Sequence, residues 1–310
     1  MLTRKTFLLT GIAALLGLAS ADAVLAQTFD LSPNPANRLH AEKNEAIAAS
    51  VPADYPFAKP GVLSIAVAAG APPIGTYATD GATVVGFDPD IGRLVGEVLG
   101  LPVEIVPIAW IDWPLGLASG KYDAVISNVG VTEERKEKFD FSTYRKGLHG
   151  FYVRADSPIT TLAEPADIAG LRIITSSGTI QEKIILEWDR LNQQAGLAPV
   201  EVQYYDDDAA ADLALQSGRA DTNFNPNATQ AYHASLTGQT RLVGTVSSGW
   251  PLPAEVGITT RKDSGLAEPF TQALNHLIET GIYAELLAQW NLTPEGVEVS
   301  QTNPPGLPKP

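Results

Sequence analysis

Two kinds of hydrophobic pattern alternate along this chain. Apolar runs typical of buried parallel strands occur at Leu63–Ala68 and again at Leu171–Thr175. A helical pattern follows each run, over Asp90–Leu99 and Ile180–Gln193, and each pattern is followed by a glycine, as helix ends prefer. The pattern therefore predicts a strand–helix unit that occurs twice.

The positions that follow these helices match in the two halves of the chain. Gly100 precedes Leu-Pro-Val-Glu, and Gly196, 96 residues later, precedes Leu-Ala-Pro-Val-Glu. Gly120 and Gly218, 98 residues apart, each stand in a Ser-Gly-basic-x-Asp turn before a short strand pattern. Tandem β-α-β-α-β units predict an α/β protein with two lobes and largely parallel sheets. Ligands bind beyond the strand carboxyl ends of such sheets, so facing lobes would form one cleft.

The connections between the two units have extended patterns. His149–Arg154 and Glu255–Thr260 are predicted to be strands at the crossings between the lobes. Apolar periodicity over Leu266–Trp290, interrupted at Gly281, predicts helices that return to the first lobe. The expected division is a signal peptide (1–26), an N-terminal extension (27–60), a discontinuous first lobe (61–152 and 254–300), a second lobe (153–253), and an extended or disordered tail (301–310).

The first residues have the pattern of an export signal. Arg4 and Lys5 precede the apolar run Phe7–Leu18, and small residues lead to a cleavage position before Gln27. The run is shorter than the roughly 20 residues that a membrane-spanning helix needs. The chain has no cysteine, and so no disulfide and no lipid-attachment site. We therefore expect a periplasmic protein, exported through a cleavable signal.

Composition excludes several function classes. A net charge of −14 argues against nucleic-acid binding, which needs excess Lys and Arg. The four histidines have no metal-ligand spacing, and the sequence contains no phosphate loop or nucleophile motif. We expect no metal, no cofactor and a monomer.

Several short motifs occur in the order found in one known family: Pro72–Pro73, Gly86–Asp90, Ser119–Asp123, Val131–Arg135, Phe139–Ser142 and Ser177–Thr179. In this respect the chain resembles the family 3 periplasmic solute-binding proteins of ABC transporters, of the polar amino acid binding type. The resemblance implies a two-lobed type II periplasmic binding protein fold with two crossing hinge strands, no catalysis and no cofactor. It also implies a small carboxylate-bearing ligand, an amino acid or derivative, and permease subunits as partners.

Two positions are the main candidates for ligand binding. A guanidinium can pair with both oxygens of a carboxylate, and the resemblance gives Arg135 this role toward the ligand's α-carboxylate. Thr179, Ile180 and Gln181 stand at the predicted start of a helix, where free N–H groups and the helix dipole favour an anion. Each has a plainer interpretation: Arg135 as one charge on a solvated helix, and Thr179 as a helix cap.

Further candidates follow the central strand of each lobe. Asn128 and Gly130 stand where the family often has Ser or Thr hydroxyls. Asn225 and Asn227 stand near a position where amino acid binders usually have an Asp that pairs with the α-ammonium. Turn formation is the alternative for the asparagines. No acid is present there, so an ordinary cationic amino acid is disfavoured, and Glu255 is the substitute we consider.

Apolar walls and acidic residues complete the candidates. Ile74 follows Pro72–Pro73 where the family prefers an aromatic residue, and Trp110 or nearby Trp113 and Tyr77 could form a wall instead. Core packing is the alternative for any one aromatic residue. Asp88 is expected to stabilise a local turn, and Asp90 to begin a helix.

An enzyme is the rival interpretation. Periplasmic prephenate or arogenate (cyclohexadienyl) dehydratases share this pair of lobes and would need a buried acid in the cleft. Glu255 and Asp112 are the candidates for such an acid.

Overall fold

The computed structural model describes residues 29–205 and 207–309. The expected signal peptide, residues 1–26, lies outside the described residues. Within the described part, no helix is long and apolar enough to cross a membrane.

Twelve strands and eight α-helices are present in the described residues. The strands are β1 Leu63–Ala68, β2 Thr76–Tyr77, β3 Val84–Val85, β4 Val103–Ile108, β5 Ala124–Val125, β6 Phe139–Lys146, β7 Leu148–Arg154, β8 Arg172–Thr175, β9 Glu201–Tyr204, β10 Thr222–Pro226, β11 Thr240–Ser247 and β12 Glu255–Arg261. The helices are α1 Glu45–Ala48, α2 Phe87–Leu99, α3 Trp113–Ala118, α4 Ile180–Gln194, α5 Asp208–Gln216, α6 Asn227–Thr237, α7 Ala267–Glu279 and α8 Ile282–Gln289.

The strands form two five-stranded sheets and a small hairpin of β2 and β3. The first sheet has the order β4-β1-β5-β12-β6, and the second has the order β11-β7-β10-β8-β9. In each sheet three strands are parallel, and the two strands nearest the crossings are antiparallel to their neighbours. The predicted two-lobed α/β fold is confirmed.

The two helices predicted from the repeated pattern are present as α2 and α4. The apolar stripe of α2 packs in the first lobe, and α4 buries Ile184, Ile185 and Trp188 in the second. Gly100 and Gly196, with φ of 67° and 76°, are in the left-handed region that glycine adopts without steric cost. Both glycines therefore stop a helix so that the chain can return to the sheet.

The chain crosses between the lobes at Gly147 and again at Ser248–Ala254. Gly147 donates its N–H to Ala254 O and accepts from Ser248 N, so the two crossings are hydrogen-bonded to each other. The whole of β7 lies in the second sheet, although we assigned residues up to 152 to the first lobe. The crossing therefore lies five residues before the expected boundary at 152. The reason is that β7 pairs with β11 from Leu148 and with β10 from His149.

The C-terminal helices pack on the first lobe. Phe270, Leu274 and Leu277 of α7 and Leu286 of α8 share one buried core with α2 and β1. The first lobe is therefore discontinuous in sequence. The second lobe has a separate core built around stacked Phe151 and Phe224, whose ring centroids are 4.1 Å apart.

Both terminal segments are ordered against the lobes. In the N-terminal extension Phe29 lies between Tyr232 of α6 and Trp290 after α8, with both ring centroids 5.0 Å away. The tail pairs with the edge strand β6, because Thr143 N donates to Gln301 O and Asn303 N to Phe141 O. Of the two alternatives expected for the tail, extended or disordered, the pairing with β6 agrees with the extended one.

Candidate functional site

Arg135 lies in a short helical turn after β5, at the edge of the space between the lobes. The backbone N–H of Arg135 donates to Thr132 Oγ1 at 3.0 Å, which fixes the start of the turn. Its Nη1 donates to Gly130 O at 2.9 Å, and its guanidinium carbon lies 6.0 and 5.5 Å from the ring centroids of Trp110 and Trp113. The guanidinium is held between a carbonyl and two aromatic rings.

The charge of Arg135 has no acidic partner in the described part of the chain. Burial lowers the pKa of Arg135 to about 10, and the neighbouring Glu134 carboxylate opposes that effect. Glu134 forms its ion pair with Lys183 of α4 instead. The group remains a cation at neutral pH, and Nε and Nη2 make no hydrogen bond among the described residues. A carboxylate brought here would supply the missing charge and acceptors.

Thr179 caps α4 in the second lobe. Its backbone is extended, its hydroxyl accepts from Glu182 N at 3.3 Å, and it donates to Ser176 O at 2.6 Å. The capping role considered from sequence is therefore present, and the hydroxyl is already engaged. Because the first N–H groups of a helix have no acceptor within the helix, those of Ile180 and Gln181 remain as candidates for an anion.

The two candidate half-sites meet at Gly130. A Cβ placed on Gly130 would overlap Ile180 Cδ1 and would lie 3.9 Å from Arg135 Nη1. The Arg135 side chain and the start of α4 thus approach the same residue from different lobes. The absence of a side chain at Gly130 is what allows this approach.

Asn128 belongs to a buried polar network in the first lobe. It has a left-handed φ of 54°, and its N–H donates to Asp88 Oδ2 at 2.9 Å and to Tyr144 Oη at 3.2 Å. Its Oδ1 accepts from Arg145, which also forms an ion pair with Glu295. The Asn128 side chain is therefore engaged within the protein.

Asp88 corrects one expectation. It is fully buried and accepts from Tyr144 Oη at 3.0 Å as well as from Asn128 N, so it joins segments 40 and 56 residues away instead of stabilising a local turn. Burial raises the pKa of Asp88 to about 6, although Arg145 opposes the shift. Asp90 accepts from Arg93 and from Trp290 Nε1 in the first turn of α2, where we expected it.

The second-lobe asparagines are also engaged. Asn225 accepts from Gln181 Nε2 at 3.2 Å and donates to Asn223 Oδ1 at 2.5 Å. Asn227 accepts from Tyr152 Oη at 3.0 Å at the start of α6. The fold thus brings Gln181, at the start of α4, next to Asn225, at the end of β10, and the two side chains are hydrogen-bonded to each other.

The apolar candidates separate into core and wall. Ile74 is buried in the core of the first lobe, and its role as a ligand wall stays a prediction. Tyr77 is about half exposed, and Trp113 is buried. Trp110 is partly exposed and lies beside the Arg135 guanidinium.

Three polar side chains near the crossings have buried atoms without a hydrogen-bond partner among the described residues. They are Glu255, through Oε2, His149, through both ring nitrogens, and Ser248, through Oγ. Burial, with the nearby Arg145, lowers the pKa of His149 to about 3, so this imidazole is neutral. The sequence singles out Glu255 but not His149, because a lone histidine in a strand gives no pattern. Within the described residues, no group of three His, Asp or Glu side chains could hold a metal ion.

Comparison with known proteins identifies the family. The chain is 30% identical over 163 residues to the L-cystine-binding protein TcyJ of Escherichia coli (strain K12), which covers 52% of this chain and 57% of that protein. It is 24% identical over 243 residues to the cyclohexadienyl dehydratase of Pseudomonas aeruginosa, covering 74% and 82%. A solved ancestral arginine-binding protein, bound to arginine, matches with a TM-score of 0.64 and 28% identity over 74% of this chain and 98% of that one. The sequence profile of bacterial extracellular solute-binding proteins, family 3, matches residues 63–293. The chain therefore belongs to family 3 of the bacterial extracellular solute-binding proteins.

Proposed function

We propose that this protein is the periplasmic solute-binding component of an ABC importer. It binds a small carboxylate-bearing solute, an amino acid or an amino-acid derivative, in the cleft between its lobes. Closure about the crossings at Gly147 and Ser248–Ala254 brings the two half-sites onto the ligand. Permease subunits in the inner membrane then receive the solute from the closed form.

One observation carries the proposal. Arg135 is a cation without an acidic partner in the described residues, and it lies beside Gly130, where the first lobe contacts the start of α4. Leaving such a charge unpaired is costly, and a ligand carboxylate with two oxygens offsets that cost. The N–H groups of Ile180 and Gln181 supply donors from the other lobe.

In this proposal the ligand's amino group binds Glu255, because the Asp that usually pairs with the α-ammonium in amino acid binders is missing. Asn225 and Asn227 are neutral and already hydrogen-bonded within the second lobe. Glu255 is at the second crossing and has a buried, unpaired carboxylate oxygen among the described residues. We assign the amino group to Glu255, which suits an N-substituted or otherwise modified amino acid as well as a plain one.

The location follows from the N-terminal sequence. Residues 1–26 act as a cleavable export signal, and the mature protein functions as a monomer in the periplasm. Its membership of an extracellular solute-binding family supports export across the inner membrane.

An enzyme of the cyclohexadienyl dehydratase type is the second candidate. It is favoured by the similarity to the P. aeruginosa enzyme and by the unpaired Oε2 of Glu255, which could serve as a general acid. Asp112 fits this role less well because it is exposed.

A ligand screen separates the two functions. Thermal-shift measurements would cover the common amino acids, L-cystine, N-substituted amino acids, small organic acids and prephenate, with calorimetry on each hit. We expect stabilisation by a carboxylate-bearing amino acid and no conversion of prephenate. Turnover of prephenate that disappears in Glu255→Gln would favour the enzyme, and absence of binding by every carboxylate would refute the proposed ligand class.

A further inference from the structure

The C-terminal tail runs along the first lobe, first beside β6 and then beside the loop that holds Arg135. After Ser300 the tail adds to β6, with Thr302 opposite Ser142. Asn303 strengthens this contact, because its Oδ1 accepts from Phe141 N at 2.9 Å and its Nδ2 donates to Asp140 at 2.9 Å. The tail is thereby tied to the strand that ends in the first crossing.

Beyond β6 the tail pairs with the loop that holds Arg135. Leu307 donates its N–H to Val131 O at 3.1 Å and accepts from Glu133 N at 2.9 Å. Side chains of the loop add further bonds: Lys136 Nζ donates to Pro304 O at 2.9 Å, and Glu133 Oε1 accepts from Gly306 N at 2.8 Å. The loop is thus held on both sides, by β12, where Val131 N donates to Glu255 O at 3.0 Å, and by the tail.

The side chain of Leu307 reaches the other lobe. It is partly buried and packs against the core of the second lobe, whereas its backbone is paired with the first lobe. Gly306 lies so close to Thr132 that an added Cβ would be 2.8 Å from Thr132 Cα. The tail therefore fits tightly against the Arg135 loop and spans the two lobes at that position.

From these contacts we infer that residues 301–309 form an interlobe latch that positions the Arg135 loop and favours the closed cleft through Leu307. The inference builds on the proposed function, since a latch acts on opening and closing. If the closed state is favoured before the ligand arrives, ligand release is slower. The apparent affinity also rises, because a larger fraction of the protein is in the conformation that holds the ligand. Leu307 is in this sense a positioning residue for ligand binding.

The test measures lobe separation without any ligand. The chain has no cysteine, so spin labels can be attached through Leu115→Cys on α3 and Leu213→Cys on α5, two sites that are 77% and 62% exposed. Distance distributions from pulsed electron resonance are compared for the parent and for Leu307→Ala. We expect the open-to-closed ratio to rise about five-fold, from the loss of a partly buried apolar side chain.

Two further variants make the result decisive. Gly306→Val should shift the distribution in the same direction, because its side chain meets the Thr132 backbone and displaces the tail. Leu236→Ala, which truncates a 48% exposed leucine of α6, should leave the distribution unchanged. The latch is refuted if Leu307→Ala and Gly306→Val both match Leu236→Ala. A separate arm adds each amino acid or N-substituted amino acid that the ligand screen identifies as a binder, and failure of all of them to close the cleft counts against the proposed function alone.

Discussion

Gly130 of the first lobe lies in contact with Ile180, the first residue of α4 in the second lobe. The ion pair of Glu134 with Lys183 joins the same two elements nearby. These contacts join the two lobes beside the Arg135 loop. Two predictions test this arrangement, at Arg135 and Gly130, and two more test the buried titratable groups Asp88 and His149.

Removal of the Arg135 guanidinium should weaken ligand binding. Because a hydrogen bond to a charged group contributes about 1.5–3 kcal/mol, Arg135→Ala should raise the Kd of the best ligand from the screen about 10- to 100-fold. Arg135→Lys should recover only part of this loss, since an ammonium cannot pair with both carboxylate oxygens. Calorimetry measures both. Arg190→Ala, which removes an exposed arginine of α4 paired with Glu187, is the control, and equal Kd values for Arg135→Ala and this control would contradict the assignment.

A side chain at Gly130 should keep the lobes apart. Gly130→Ala should lower affinity about ten-fold because its Cβ overlaps Ile180 Cδ1. The double variant Gly130→Ala with Ile180→Ala should recover much of the binding, measured by calorimetry as a double-mutant cycle. Gly70→Ala, at a position with no atom within 4 Å of the new Cβ, should bind as the parent does. Additive losses in the cycle would mean that the two residues do not limit closure.

The buried Asp88 should make the protein less stable as its carboxyl ionises. Its pKa is raised from an ordinary 3.8 to about 6, so the folded protein holds this proton more tightly than the unfolded chain. The Asp88 contribution to the free energy of unfolding therefore falls as pH rises from about 4 to 6, by up to about 1.4 kcal/mol per pH unit. Asp88→Asn should remove this slope in denaturant titrations. Asp54→Asn, an exposed change in the N-terminal extension, should retain it.

His149 should produce a slope of the opposite sign. Its pKa is lowered from 6.5 to about 3, so the unfolded chain takes up a proton that the folded protein excludes. The stability due to neutral His149 is complete above pH 6.5 and is lost progressively toward pH 3. His149→Phe should therefore be more resistant to acid than the parent in thermal melts between pH 6.5 and 4. A variant with unchanged acid sensitivity would show that this imidazole is not the group responsible.

The sequence by itself determined the duplicated architecture. The apolar run Leu63–Ala68, the helix stops at Gly100 and Gly196, and the interruption at Gly281 are local signals, since each depends on side-chain periodicity or glycine conformation within a few residues. Arg135 could be singled out because it stands in a contiguous motif.

Only the tertiary structure decided which groups are paired and which are left open. Asp88 binds Tyr144, the tail binds the Arg135 loop, and Ile74 enters the core, all through partners far away in sequence. The crossing at Gly147 was likewise fixed by the pairing of β7 with β10 and β11 and not by its own residues. Local patterns specify which elements form, but the satisfaction of buried polar groups and the packing of a loop depend on long-range contacts that no short stretch of sequence encodes.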